Sequence, residues 1–262
     1  MKTYRYVTLD PTGNITCLVL DAVTAEDKPR VTAALMERCE QVGYLEKPRT
    51  AEARARLTMM GGEFCGNASM GTAAWLARED GLAPGEKAGI QLEVSGAENV
   101  LKCRITAEKD GFTGEVGMPR ALSVERNADG SMTEVRMEGI THLIRTGGEL
   151  TAKEAEALLL RETEKTEADA LGLLQWDREK RFMRPLVWVR KTGTLVWETG
   201  CGSGTAAIGA AEALENGNGT TVTEVNQPGG RAEVKVTVKD GRAAEILLKG
   251  TVRIREEETV TV

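Results

Sequence analysis

Histidine is nearly absent from the chain: His142 is the single one among 262 residues, so a site assembled from several imidazoles is excluded. Cysteine is sparse too, at five, an odd number with no Cys-x-x-Cys spacing. That usage reads as reduced thiols in a cytoplasmic protein rather than as a disulfide or zinc framework. No apolar run approaches the ~18 residues that a membrane helix needs. The opening residues MKTYRYVTLD carry no apolar signal core, so the expectation is a cytoplasmic protein with no membrane partner. A basic excess is also missing: 34 Lys and Arg stand against 40 Asp and Glu, a formal net charge of -6. A nucleic-acid-binding face would need clustered Lys and Arg, so nucleic acid is not expected as a partner. What is there is ordinary, 41% apolar and 28% charged. That composition describes a soluble globular protein, long enough for one large or two small domains with a real core.

Strand and helix signals alternate, joined by glycine-rich stretches. Lys2 to Leu9 and Ile15 to Val23 read as strands around the turn Pro11-Thr12-Gly13-Asn14. Thr24 and Asp27 open a predicted helix on which Val31, Leu35, Cys39 and Val42 recur at helical spacing. Strand patterns follow at Gln91 to Val94, Val100 to Ile105 and Thr113 to Val116. Thr151 and Glu154 form a capping box before the helical run Ala155 to Leu160. Thr194 to Trp197 reads as a strand. The chain closes on strands at Ala232 to Val238, Ala244 to Leu248 and Thr251 to Arg255. The residues between Ser123 and Ser131, and between Asn216 and Gly219, read as loops.

One segment occurs twice. Gly62 to Ala77 reads GEFCGNASMGTAAWLA and Thr199 to Ala213 reads TGCGSGTAAIGAAEA. Each places Cys-Gly ahead of a small-residue stretch that should be helical. The spacing is about half the chain, which suggests two similar domains facing each other; the blunter reading is two unrelated Gly/Ala-rich helix starts. Cys39 on an apolar helix face, Cys103 alternating with Leu101 and Ile105, and Cys17 in an apolar strand read as core thiols. Cys65 and Cys201, flanked by glycine at loop-to-helix joints, do not.

The amides at a helix N-terminus lack intrahelical partners, and the peptide dipoles leave partial positive charge there. A carboxylate binds at such a place, and a cysteine there ionises more easily. Gly66 and Gly202 allow close approach of backbone to ligand. Two such helix starts pointing into one cleft would hold an amino acid with a thiol on each side of its α-carbon. One thiolate would remove the α-proton while the opposite thiol delivers a proton to the other face. The helix dipoles would stabilise the charge that develops on the carboxylate. Cysteine suits the task because its ordinary pKa of ~8.5 makes both protonation states accessible. The scheme requires neither a metal nor pyridoxal phosphate, and no lysine stands out as an aldimine former, so no cofactor is expected.

Cys65-Gly66-Asn67, Cys201-Gly202-Ser203-Gly204, the turn Pro11-Thr12-Gly13-Asn14, Gly139-Ile140-Thr141-His142 and Pro228-Gly229-Gly230 together resemble the diaminopimelate epimerase family of cofactor-independent racemases. The resemblance runs through most of the chain. It implies an α/β (α+β) fold of two pseudo-symmetric domains, each a curved, mainly antiparallel or mixed sheet around a central helix. Residues 1–118 with 252–262 would carry Cys65, and residues 119–251 would carry Cys201. It further implies Cys65 and Cys201 as the acid/base pair, and substrate-binding positions at Asn14, Gly66, Asn67, Gly202, Ser203 and Gly204. His142 would neighbour Cys65 and help set its charge. Glu198 would orient the reacting amino group or thiol, or be merely solvated. The partner is a small amino-acid substrate, and relatives are often dimers, so a homodimer is a further expectation.

Departures from the family pattern narrow the substrate. Thr58 and Ile140 stand where asparagines would recognise a distal zwitterionic end, and the Arg-Gly stretch after the glutamate is missing. Diaminopimelate is therefore disfavoured. The Pro-Thr-Gly-Asn-Ile-Thr start and the short Glu-Thr-Gly-Cys approach are more similar to the histidine racemase branch of metallophore biosynthesis. The leading rival is an S-adenosylmethionine-dependent methyltransferase, since Glu198 to Gly204 also fits E-x-G-x-G-x-G and Glu224 stands where a ribose-binding acid would lie. Too little chain follows for the βα units that such a sheet needs. Three further readings compete more weakly: diaminopimelate epimerase itself, an acid isomerase of the same architecture, and a non-catalytic amino-acid-binding protein.

Overall fold

The computed structural model describes residues 1–191 and 193–262. The chain divides into two compact units, Met1–Gly117 with Lys249–Val262, and Met118–Leu248.

The first unit runs β1 (Thr3–Pro11), β2 (Thr16–Val19), α1 (Lys28–Leu35), β3 (Gln41–Glu46), β4 (Ala55–Met59), α2 (Gly66–Glu79), β5 (Lys87–Val94), β6 (Leu101–Glu108) and β7 (Gly111–Gly117). Its strands follow one another across the sheet in chain order. The second unit contains β8 (Ala121–Arg126), β9 (Met132–Met137), β10 (Ile140–Arg145), α3 (Ala152–Thr163), β11 (Ala170–Asp177), β12 (Phe182–Val189), β13 (Thr194–Trp197), α4 (Gly202–Asn216), β14 (Gly219–Gln227) and β15 (Gly230–Lys239). The last strand, β16 (Arg242–Thr261), starts in the second unit and ends in the first. There it pairs with β1 and neighbours β7, so the sheet of the first unit closes on itself.

Each unit repeats the same wiring. β2 and β3 are parallel with α1 between them in sequence, and β4 and β5 are parallel across α2. In the second unit β10 and β11 are parallel across α3, and β12 and β14 across α4. The outer helices are amphipathic. Val31 and Leu35 of α1 pack with Tyr4, Tyr6, Cys17 and Val19, while Ala155 and Leu159 of α3 pack with Leu143, Leu171, Leu173 and Leu186. The two helices after the Cys-Gly pairs are central instead. Every residue from Gly66 to Ala77 of α2 is buried, and α4 is buried over most of its length. Small side chains let strands approach these helices closely. A Cβ on Gly209 would sit 2.4 Å from Cγ1 of the β-branched Val234, a side chain with little freedom to yield.

Several local expectations change. The helical spacing through Cys39 and Val42 stops at Leu35, because Val42 pairs with Cys17 as part of β3; ladder pairing overrides the periodicity. Residues 123–131 are not a loop throughout: β8 extends to Arg126 as a largely exposed strand paired with β9. The two closing strands are one, running through Gly250, where a Cβ would lie 2.4 Å from Thr12 Oγ1. The Thr151–Glu154 capping box forms reciprocally, as its spacing predicts.

Candidate active site

Both repeated cysteines occupy the N-cap of a central helix, in extended backbone conformation, and use their sulfur as the capping acceptor. Cys65 Sγ accepts from the Ala68 amide at 3.4 Å, and Cys201 Sγ accepts from the Gly204 amide at 3.3 Å. The hydroxyl four residues on closes the first turn each time: Ser69 Oγ donates to Cys65 O at 2.7 Å and Thr205 Oγ1 to Cys201 O at 2.8 Å. Sulfur therefore takes the place that Ser or Asp oxygen usually holds at this position, and Gly66-Asn67 and Gly202-Ser203 head the two helices.

In the first unit, the Cys65 thiol donates to Gln41 Oε1 at 3.3 Å. Gln41 Nε2 in turn donates to Asn14 Oδ1 at 2.6 Å and to Thr16 Oγ1 at 2.7 Å, and Asn14 Nδ2 donates to Glu40 Oε2 at 2.8 Å. Asn14 is thus buried and joined to Cys65 through Gln41. The parallel pairing of β2 with β3 makes the chain possible, since Thr16 pairs with Gln41 directly.

In the second unit, Cys201 is only 4% exposed. Burial, and then the Glu198 carboxylate that hydrogen-bonds it, push its thiol well above the usual thiol range; Ser203 and the Gly204 amide act in the opposite sense. The Cys201 amide donates to Gln227 Oε1 at 2.6 Å. Gly229, in the Pro-Gly-Gly turn, donates to Thr199 O at 2.8 Å and so braces the approach to the cysteine. Ser203 Oγ lies 3.5 Å from Cys201 Sγ and 3.0 Å from His142 Nε2.

Within its own unit, His142 stands beside the turn that carries Cys201. It lies on β10 in the second unit, fully buried, and its polar contact is to Ser203 beside Cys201. Burial depresses its pKa to about 3, so it carries no charge to lend at neutral pH. The structure otherwise gathers Cys201, Gly202, Ser203, Gly204 and Glu198 at the head of α4, and Cys65, Gly66 and Asn67 at the head of α2. No sequence signal marks Gln41 or Gln227. Neither lies in a recognisable motif, and only strand pairing brings them to the cysteines. Of the other thiols, Cys17 and Cys103 are buried core residues, and burial alone pushes Cys103 up to about 12, while Cys39 lies beyond the end of α1 and is only partly buried against the same cluster as Cys17.

The methyltransferase reading fails on topology. After α4 the chain forms β14 and β15 as an antiparallel hairpin, and the Glu224 carboxylate forms an ion pair with Arg231 across it. Among the described residues, no group of three or more His, Cys, Asp or Glu is placed to hold a metal ion, and no helix is long and apolar enough to cross a membrane.

Known proteins resemble the chain over nearly its whole length. The family model described as histidine racemase CntK N-terminal domain matches residues 3–260, which take in both units. A histidine racemase of Fusobacterium nucleatum is 32% identical over 222 residues, 80% of each chain. Another from Staphylococcus aureus is 29% identical over 235 residues, 84% of each chain. Among solved structures, a phenazine biosynthesis protein of the PhzF family from Bacillus anthracis superposes with a TM-score of 0.73 at 19% identity, covering 100% of both chains. At that identity the likeness concerns the fold, which is the diaminopimelate epimerase-like double-domain fold.

Proposed function

The chain belongs to the histidine racemase family, and on that premise we propose that it inverts the α-carbon of histidine with Cys65 and Cys201 as the acid/base pair. The observation that carries this reading is the duplicated cap: two cysteines, each at the positive end of a buried helix, each with its sulfur already accepting an amide proton. Such a sulfur is stabilised as a thiolate by the N–H bond and by the helix dipole.

The substrate carboxylate is assigned to the leading amides of the two helices, at Gly66, Asn67, Gly202 and Ser203. Those donors bind the ground state and hold the carboxylate more strongly as negative charge spreads onto it from the α-carbon. One cysteine, as thiolate, takes the α-proton and becomes a thiol. The other gives its S–H proton to the opposite face and becomes a thiolate, so the enzyme ends each turnover with the two roles exchanged. Cys201 is suited to begin as the acid, because burial and Glu198 favour its protonated form. Glu198 accepts the hydrogen bond of that thiol and keeps it protonated until the α-carbon takes the proton. Every step is a proton transfer, and the reaction is an isomerisation. A reduced, cytoplasmic setting fits a pair of free thiols that must both stay reduced.

Incubation of the reduced protein with L-histidine in D2O tests the reading. The expected result is loss of the α-proton signal by NMR together with D-histidine by chiral chromatography. Exchange and inversion of diaminopimelate or another amino acid in place of histidine would transfer the assignment to that substrate. No exchange on any amino acid would end the racemase reading.

A further inference from the structure

We infer that His142 is a positioning residue acting as a neutral hydrogen-bond donor: its Nε2–H holds the Ser203 hydroxyl so that the hydroxyl proton points at Cys201 sulfur. This rests on the reading of Cys201 as one of the two acid/base groups, and it assigns His142 no proton transfer of its own.

The ring's environment fixes the tautomer. His142 on β10 pairs in register with Gly172 on β11, and a Cβ at position 172 would stand 2.3 Å from His142 Nδ1 and 2.7 Å from Cε1. The Nδ1 edge is therefore sealed by backbone, and Nδ1 is a buried atom with no hydrogen-bond partner. A proton there would be a buried donor with no acceptor, the rarer and costlier orphan, whereas an unshared lone pair is better tolerated. The proton of the neutral ring consequently sits on Nε2, which lies 3.0 Å from Ser203 Oγ.

A serine hydroxyl has one proton and two lone pairs. With one lone pair taken by Nε2–H, its proton is left for Cys201 Sγ at 3.5 Å. The groups facing Cys201 then divide cleanly. Glu198, from the segment ahead of α4, accepts a hydrogen bond from the thiol and favours the thiol. Ser203 and the Gly204 amide donate to sulfur and favour the thiolate. His142 from β10 contributes through Ser203. Its complete burial keeps it uncharged over the working range, so it holds the serine without adding a positive charge that would pin Cys201 as a permanent thiolate. An acid/base residue that alternates between two states gains from a donor of this kind.

His142 being the single histidine, protein grown with 15N-histidine reports on one ring. The expected spectrum of the reduced, substrate-free enzyme shows an Nε2–H tautomer whose shifts do not move between about pH 5 and 9. The second measurement is the pH dependence of Cys201 alkylation by iodoacetamide, read by mass spectrometry of its peptide. Ser203→Ala and His142→Leu are each expected to raise the midpoint by roughly one pH unit. The double variant should go no further than Ser203→Ala, because the two act in series, and His142→Gln should restore most of the shift by presenting an amide N–H in place of Nε2–H. An Nδ1–H tautomer, a ring that titrates between pH 5 and 8, or additive shifts in the double variant would overturn the assignment. If His142→Leu does not fold, the wild-type tautomer and Ser203→Ala still decide it. Neither measurement involves racemisation, so failure to act on histidine would refute the substrate reading and leave this test standing.

Discussion

Gln227 Oε1 accepts the backbone N–H of Cys201 at 2.6 Å, while Gln227 Nε2 donates to Thr205 Oγ1 at 3.0 Å. Thr205 Oγ1 closes the ring by donating to Cys201 O. The last residue of β14 thereby clamps the first turn of α4 and sets the position of the capping sulfur. Gln227→Leu would strand a buried amide donor, a loss of ~1–3 kcal/mol, and urea unfolding measures it directly. A Gln227→Leu protein as stable as wild type would remove the clamp from the account; Gln227→Glu, which keeps an acceptor, should lose less.

Cys65→Ser and Cys201→Ser are each expected to lower racemisation by at least ~100-fold, the scale of a lost general acid or base, because serine does not ionise in the working range. Either variant could still exchange the α-proton of one enantiomer through the remaining thiol. Chiral chromatography and deuterium incorporation, run on the same samples, separate the two outcomes. Near wild-type inversion by either variant would refute the two-base assignment.

Gln41→Leu removes the acceptor of the Cys65 thiol and the partner of Asn14 together. A loss on the order of 10-fold in kcat is expected from a disoriented thiol, corresponding to ~1.4 kcal/mol. Unchanged kcat with unchanged KM would mean that Gln41 serves only the packing of β2 against β3.

Acid should destabilise the protein through His142. Its pKa is about 3 in the fold against an ordinary value of 6.5. Above pH 6.5 both folded and unfolded chains hold it neutral, and it has no effect. Below that, the unfolded chain takes up a proton that the fold refuses, so stability falls by ~1.4 kcal/mol per pH unit down toward pH 3. Asp27, held down to about 2 by hydrogen bonds from Lys2, Tyr4 and Thr24, acts in a lower window, contributing stability above its unfolded value and losing it as pH falls toward 2. Between pH 6.5 and 5 the slope therefore belongs to the histidine, and His142→Gln should flatten it. Equal slopes in the two proteins over that interval would contradict the buried, neutral ring.

Gly172→Ala puts a methyl group 2.3 Å from His142 Nδ1, against a ring with no room to retreat. A cost of ~1–3 kcal/mol is expected from such overpacking, measured as a lower thermal midpoint. Racemisation should fall with it, since the ring that holds Ser203 is displaced. A variant with wild-type stability would show that the strand yields there.

Much was legible before the chain was folded, where the physics is local. The Thr151–Glu154 box needs only a three-residue spacing, and it forms. The Cys-Gly pairs announce helix N-termini because small residues follow them, and both helices start where the motif says. Other elements depend on a distant partner: Val42 fits a helical stripe, yet pairs with Cys17, and the charged residues of β8 look like loop until β9 lies beside them.

The candidate site divides along the same line. Chain order and residue type alone determined the duplicated cysteine caps, the residues that head each helix, and the absence of any multi-histidine site. Tertiary structure alone decided which side chains tune them. Gln41 reaches Cys65 through the parallel pairing of β2 and β3. Gln227 reaches Cys201 from the end of a strand 26 positions on, and His142 meets Ser203 across 61 positions. A cap is set by the backbone's own unsatisfied amides within one turn, so sequence spacing suffices. A hydrogen bond between strands and a helix start depends on register and burial that only the assembled sheet supplies, and the same burial leaves the single imidazole uncharged.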